Sequence, residues 1–270
     1  MNGHQLRNAL HSGTTVFGTL IVSDSPRWPD AIRNCGLDFV FIDTEHIALT
    51  RSQVSWMCQT YTNMGLSAIV RIPSPDPYVA CSTLDGGATG IIAPYVESAE
   101  EAKRLRGALR FRPLKGKKRD RILDGGPIEP ELDDYLKKGN DGNVFVVNIE
   151  SIPAIENLDE ILSVPGLDAV LIGPHDLSCS LGIPEQYDHP EFMKACETIF
   201  SKARSKNIGA GMHYTGAPEK QAAFVDIGAN MLIHSSDLGL FSTHLRTELS
   251  EIKRRVGVES DSAGTDQINI

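Results

Sequence analysis

VFVVNIESIPAIENLDEILSVPGLDAVLIGPHDLS, residues 144–178, holds two short apolar, β-branched runs with a helix-like stretch between them. Runs of this length read as consecutive parallel strands of an α/β sheet, joined by a crossover helix. The first run, VFVVNI, ends at Glu150, and the second, DAVLIG, leads to Asp176. Adjacent parallel strands present their C-terminal ends side by side, so the two carboxylates converge. Two convergent carboxylates with few other ligands suit a hard divalent cation that keeps positions open for a substrate. Either residue alone reads more simply, Glu150 as a strand-end surface acid and Asp176 as a helix cap. Together with the turn Gly173-Pro174 they favour a metal.

Working outward, apolar strand candidates recur at 16–22, 39–42, 67–70, 90–93, 144–149, 169–172, 208–212 and 230–234, with amphipathic stretches between them. Eight strands alternating with helices is the count of a (β/α)8 TIM barrel. Glycine-containing turns at 35–38, 86–88, 164–168 and 227–229 end helices and lead into the next strand. An open doubly wound sheet is the alternative, but the chain lacks the glycine fingerprint of a dinucleotide site. Residues 3–11 read as an N-terminal helix that covers the bottom of the barrel. The expected organisation is one barrel domain over 1–257 and a polar, disordered tail over 258–270. The connection 94–143 is unusually long, with a helix at 98–109, a basic stretch RFRPLKGKKRDR at 110–121 and a helical turn at 131–138. Insertions of this size sit on the working face or at a subunit contact. The basic stretch reads as a binder of phosphorylated or acidic ligands, or as a solvated loop or interface.

Composition narrows the partners. The chain has 270 residues and a net charge of −9, which argues against nucleic acid or an anionic membrane as the main partner. No apolar run is long enough to span a membrane, and residues 1–13 lack the apolar core of a signal peptide. The five cysteines, Cys35, Cys58, Cys81, Cys179 and Cys196, form no CxxC pair and no disulfide framework. A cytoplasmic enzyme is expected. Cys179 lies near Asp176, but no base is matched to it as a nucleophile.

Barrel ligands gather at the C-terminal ends of the strands. The second strand ends in Asp43-Thr44-Glu45-His46 and the third in Arg71-Ile72-Pro73. The fifth carries Asn148 and Glu150, and the sixth Gly173-Pro174-His175-Asp176. This set contains a candidate base (His46), a fixed cation (Arg71) and the metal pair. Singly, His46 reads as a structural histidine near Asp43, and Arg71 as a barrel-mouth ion pair with Glu45 or Asp43. A metal and an arginine together are what an enolate intermediate needs. The metal holds the oxygens of a 2-oxo acid, and the arginine stabilises charge developing on the C2 oxygen without acting as an acid. Free backbone N–H groups at His175 and Asp176 offer a seat for a carboxylate.

At these residues the chain resembles the metal-dependent (class II) pyruvate aldolases of the HpcH/HpaI family. FVFIDTEH, VRIPSPDP, LDGGATGIIAPYVESAEEA, DYLKKGND, VNIES, VLIGPHDLS and IGANMLIHSSD occur in the family's order and spacing, from about residue 3 to 249. The resemblance implies a (β/α)8 barrel with a swapped eighth helix, assembled as a hexamer, a trimer of dimers. It implies a Mg2+, Mn2+ or Co2+ ion on Glu150 and Asp176, bound by the carboxylate and keto oxygens of pyruvate, with Arg71 polarising the keto oxygen. His46 would pair with Asp85, contributed in the oligomer by a neighbouring chain, with Asp43 and Glu45 supporting that network. Arg71, Asn148, His175, Asp176, His213 and Tyr214 would contact the substrate.

The chain departs from the family's pattern where the acceptor is chosen. Asn148 stands where glutamine is usual, Thr44 where glycine is usual and His175 where alanine is common. The basic stretch replaces a tyrosine-proline-proline-x-glycine-x-arginine segment, and His213 and Tyr214 fall where apolar residues line the aldehyde pocket. Three functions are compatible with these features. The first is cleavage of a 4-hydroxy-2-oxo acid to pyruvate and an aldehyde. The second is an enolate-condensing relative that uses oxaloacetate or another oxo acid. The third, a non-catalytic barrel, is disfavoured because Glu150, Asp176 and Arg71 are all present. The aldehyde, its stereochemistry, the native metal and the pathway are not legible.

Overall fold

The computed structural model describes residues 1–258. Its strands are β1 (Val16–Ile21), β2 (Phe39–Asp43), β3 (Ser67–Arg71), β4 (Gly90–Ala93), β5 (Val144–Asn148), β6 (Ala169–Ile172), β7 (Gly209–Tyr214) and β8 (Met231–Ser236). They pair in sequence order and all in parallel, with β8 returning to β1 to close the barrel. Every strand lies within two residues of its expected bounds. The first helices are α1 (Gly3–Ser12), α2 (Trp28–Ile32), α3 (Arg51–Asn63) and α4 (Pro77–Asp85). The long connection holds α5 (Ala99–Arg110), α6 (Gly116–Leu123) and α7 (Pro130–Asn140). After β5 come α8 (Ile152–Glu156), α9 (Leu158–Ile161), α10 (Pro174–Ser180), α11 (Pro190–Ser205), α12 (Pro218–Asp226) and α13 (Asp237–Val256). No helix among the described residues is long and apolar enough to cross a membrane.

The alternation of side chains along each strand builds two apolar layers. Phe39, Phe41, Ile69, Ile92, Val144, Val146, Ala169, Leu171, Met231 and Ile233 fill the barrel interior. Their neighbours Val40, Ile42, Val70, Ile91, Phe145, Val147, Val170, Ile172 and Met212 face the helices. The inward set ends, at the C-terminal rim, in polar residues on the same period. Val144 and Val146 are followed by Asn148 and Glu150, Phe41 by Asp43, and Ile69 by Arg71.

The opposite end of the barrel is closed by α1. Its first turn carries a capping box in which Asn2 and Gln5 each accept from the other's backbone N–H, and it stops at Gly13 in the left-handed conformation, φ 86°. Leu6 and Leu10 are wholly buried against the inner layer, each worth about 2 kcal/mol of burial. Buried Asp168 locks this plug. It accepts from Arg7 Nε (2.8 Å), Arg110 Nη2 (2.7 Å) and the Phe145 N–H (2.8 Å), and lies 2.9 Å from His11 Nε2.

The basic stretch at 110–121 is not an open loop. Part of it is α6, and four of its seven cations are paired within the chain. Arg110 binds Asp168, Arg112 lies 3.2 Å from Asp85, and Lys118 and Arg119 pair with Glu129 and Asp120. The expected tail lies, beyond Val258, outside the described residues. α13 leaves the barrel with Leu238, Phe241, Leu245, Leu249 and Ile252 all exposed, a stripe at helical spacing.

Candidate active site

The rim places the chemistry at the strand ends. Arg71 closes β3 and turns into the barrel mouth, where it is 8% exposed. Asp43, at the end of the neighbouring β2 and fully buried, grips it in a fork: Arg71 Nε donates to Oδ1 (2.8 Å) and Nη2 to Oδ2 (2.6 Å). Burial works against the Asp43 carboxylate, but the hydrogen bonds and charge of Arg71 prevail and hold its pKa below the ordinary value. Asp43 also caps the turn that follows it, accepting from the backbone N–H of Glu45 at 3.0 Å and of His46 at 3.4 Å. Asp43 therefore positions Arg71 and the 44–46 turn and does not face a substrate. Glu45 adds a second carboxylate 3.1 Å from Arg71 Nε. Arg71 Nη1 has no partner among the described residues.

Glu150 stands just past β5 and Asp176 in the first turn of α10. A methyl group at Gly173 would lie 2.5 Å from Glu150 Oε2 and 3.2 Å from Asp176 Oδ2, so only glycine leaves room where the two carboxylates converge. Burial and the nearby Asp176 charge push the Glu150 carboxyl up to about 7, although it accepts from the Tyr95 N–H at 3.1 Å and from Asn148 Nδ2 at 2.7 Å. Two acids forced together in a half-dry site, with no cation of the chain bonded to either, match what a divalent metal requires. The remaining amide oxygen of Asn148 is buried without a partner, a further unsatisfied donor atom at the same spot. Among the described residues no group of three or more acidic, histidine or cysteine side chains gathers on one point. The fit is to a two-carboxylate site with open positions.

A cavity of about 280 Å3 is lined by His46, Arg71, Asn148, His175, Asp176 and His213 among others, and Asp176 shares a second one of about 180 Å3 with Glu150 and Tyr95. His46 is half exposed in the first, with Nε2 3.7 Å from Glu45 Oε2. His175 is exposed, 4.0 Å from Glu185, beside the uncapped start of α10. His213 packs edge-on to Phe41, ring centroids 5.5 Å apart, and donates from Nε2 to the Ser235 carbonyl at 3.0 Å. Burial pushes its pKa down to about 4, so it presents a neutral ring.

Two expected site residues are elsewhere. Tyr214 follows His213 on β7 and so points outward, into the helix layer, where it packs against Tyr187 and Phe224. A one-residue step along a strand reverses the face. Asp85 ends α4, at the opposite end of the barrel from His46, and is exposed and paired with Arg112. Within one chain it does not reach His46. One further residue stands at the rim that was not among those expected: Tyr95, two residues past β4. Its phenol lies beside Glu45, and the interaction with that carboxylate pushes the phenol pKa up to about 12. The strand-end rule applied to residues 94–95, as to the other strands, points to it.

The sequence profile of the HpcH/HpaI aldolase/citrate lyase family matches residues 18–243. A 2-keto-3-deoxy-L-rhamnonate aldolase of Escherichia coli (strain K12) is 29% identical over 247 residues, 92% of each chain. Among solved structures, an HpcH/HpaI aldolase from Desulfitobacterium hafniense DCB-2 is 30% identical with a TM-score of 0.79, covering 92% of this chain and 96% of that one. The citrate synthase SbnG is 26% identical with a TM-score of 0.79, covering 93% of this chain and 98% of that one. A profile that runs from β1 into α13, over a barrel whose rim carries the Glu150, Asp176 and Arg71 constellation, makes this chain a member of the HpcH/HpaI aldolase/citrate lyase family.

Proposed function

We propose that the chain is a divalent-metal-dependent aldolase that cleaves a 4-hydroxy-2-oxo acid to pyruvate and an aldehyde. The observation that carries this reading is the convergence of Glu150 and Asp176 at Gly173, with Asp176 and the Asp43-anchored Arg71 lining one cavity on the strand-end face. A Mg2+, Mn2+ or Co2+ ion on the two carboxylates would supply Lewis acidity at the oxygens of the oxo acid. The N–H groups of His175 and Asp176 orient the carboxylate. His46, at the cavity wall, accepts the C4 hydroxyl proton. The C3–C4 bond then breaks, the aldehyde departs, and the bonding pair becomes the enolate of pyruvate. Arg71 faces the charge on the C2 oxygen with a guanidinium that cannot release its proton. Return of the proton to C3 completes pyruvate.

With Tyr214 turned away, His213 is the polar residue of β7 left to meet the aldehyde half. A neutral imidazole that must find a partner favours hydroxylated or acidic aldehydes over alkyl ones by roughly tenfold. The test is a panel of 4-hydroxy-2-oxo acids assayed with added Mg2+, Mn2+ or Co2+ and again with chelator. Chelator-sensitive cleavage, with the hydroxyl preference lost in His213→Leu, is the expected result. Cleavage untouched by chelator would overturn the reading. The second reading, condensation of an oxaloacetate-derived enolate, has support from the similarity to SbnG. Against it, Arg110, Arg112 and Lys118 of the loop, which would hold an extra acidic group, are engaged in internal ion pairs. An oxaloacetate arm in the same panel separates the two.

The active unit is an oligomer in this proposal, a hexamer built as a trimer of dimers, in a cytoplasmic setting that the free cysteines support. The exposed apolar stripe of α13 favours docking on a second copy as a swapped helix. Asp85 would then meet His46 across the subunit contact. Co-expressed His46→Ala and Asp85→Ala chains are expected to recover roughly a quarter of wild-type activity, because half of random pairs are mixed and each mixed pair rebuilds one of two sites. No recovery would place both residues in sites of a single chain.

A further inference from the structure

We propose that Tyr95 is a positioning residue that ties the metal-binding half of the site to its arginine half, with its backbone N–H on Glu150 and its phenol on Glu45. The proposal rests on the aldolase reading and names a part of the site which that reading does not use. Tyr95 has φ 55°, in the left-handed region that a bulky aromatic residue rarely adopts. The ring is 56% exposed, so core packing does not repay the strain. Backbone strain of this kind persists where surrounding contacts over-determine it. Two contacts do so here.

The first is the Tyr95 N–H, which donates to Glu150 Oε1 at 3.1 Å while Asn148 Nδ2 donates to Oε2 at 2.7 Å. One donor on each oxygen sets the plane of the carboxylate, which would otherwise rotate about its terminal bond. The second is the phenol, which lies beside Glu45, the carboxylate that is also 3.1 Å from Arg71 Nε and 3.7 Å from His46 Nε2. A substrate spanning the cation and Arg71 needs a fixed distance between them. Tyr95 is the residue that touches the supports of both.

The two arms separate by substitution. Tyr95→Phe keeps the backbone and removes the phenol. It is expected to lower kcat about tenfold with KM changed less than about threefold, and to leave Mn2+ affinity by titration calorimetry unchanged. Tyr95→Gly accepts the left-handed conformation and keeps the N–H, so it should reproduce both results. Tyr95→Val cannot hold φ 55° without further strain. Its N–H should leave Glu150, and Mn2+ should bind about tenfold more weakly, the scale seen when a ligand loses its outer support. A wild-type kcat in Tyr95→Phe overturns the phenol arm. Wild-type Mn2+ affinity in a folded Tyr95→Val overturns the backbone arm. Wild-type protein that binds no Mn2+, or Glu150→Gln that binds it as tightly, overturns the metal reading itself, a result distinct from either failure.

Discussion

Glu150→Gln is expected to abolish stoichiometric divalent-cation binding and cleavage while the barrel still folds, and Asp176→Asn to do the same. Each is one of the two carboxylates that converge at Gly173, and no third acidic, histidine or cysteine side chain among the described residues stands by to replace it. The amide keeps the shape of the carboxyl and loses the charge that a hard cation requires. Affinity for Mn2+, followed by titration calorimetry, should fall at least about 100-fold. Folding should survive for an identifiable reason. Glu150 is buried beside a like charge, and burial is the largest cause of its raised pKa, so a neutral side chain removes a repulsion rather than a support. A melting temperature equal to or above that of the wild type in metal-free buffer checks this half. Retained turnover with one bound metal per chain would sink the assignment.

Arg71→Lys should lower kcat on the order of 100-fold, the scale for losing one aligned oxyanion donor, with a smaller change in KM. Lysine keeps a positive charge within reach of Asp43 but not the planar fork that makes two hydrogen bonds to it. The guanidinium is held at one edge by Asp43 and Glu45, which leaves Nη1 for the developing enolate oxygen. A flexible ammonium satisfies the carboxylates and turns away from the substrate. Because Asp43 is fully buried, removing its partner altogether would cost several kcal/mol, so lysine is the informative change and alanine is not. An unchanged kcat would reduce Arg71 to a structural ion pair.

Several of these assignments were legible without coordinates because they follow from short-range periodicity. Two-residue alternation on β5 puts Asn148 and Glu150 on the same side as Val144 and Val146, and β-branched runs ending in polar residues mark the rim. The helix stops are equally local, as at Gly13. The same alternation puts Tyr214 on the face of β7 opposite His213. It is a neighbour of His213 in sequence and therefore faces away from it in space.

Amino-acid order by itself determined the barrel, its strand bounds to within two residues, the carboxylate pair and the arginine, since each depends on apolar period and on which residue ends a strand. Tertiary structure alone decided the partners. It set both Asp43 and Glu45 on Arg71, paired Arg110 with Asp168, Arg112 with Asp85, Lys118 with Glu129 and Arg119 with Asp120, and put Asp85 at the far end of α4 from His46. It also brought the Tyr95 phenol to Glu45, fifty residues earlier in the chain. Such contacts join residues far apart in sequence, and closing the barrel is what makes them neighbours. No local pattern encodes which charge will meet which.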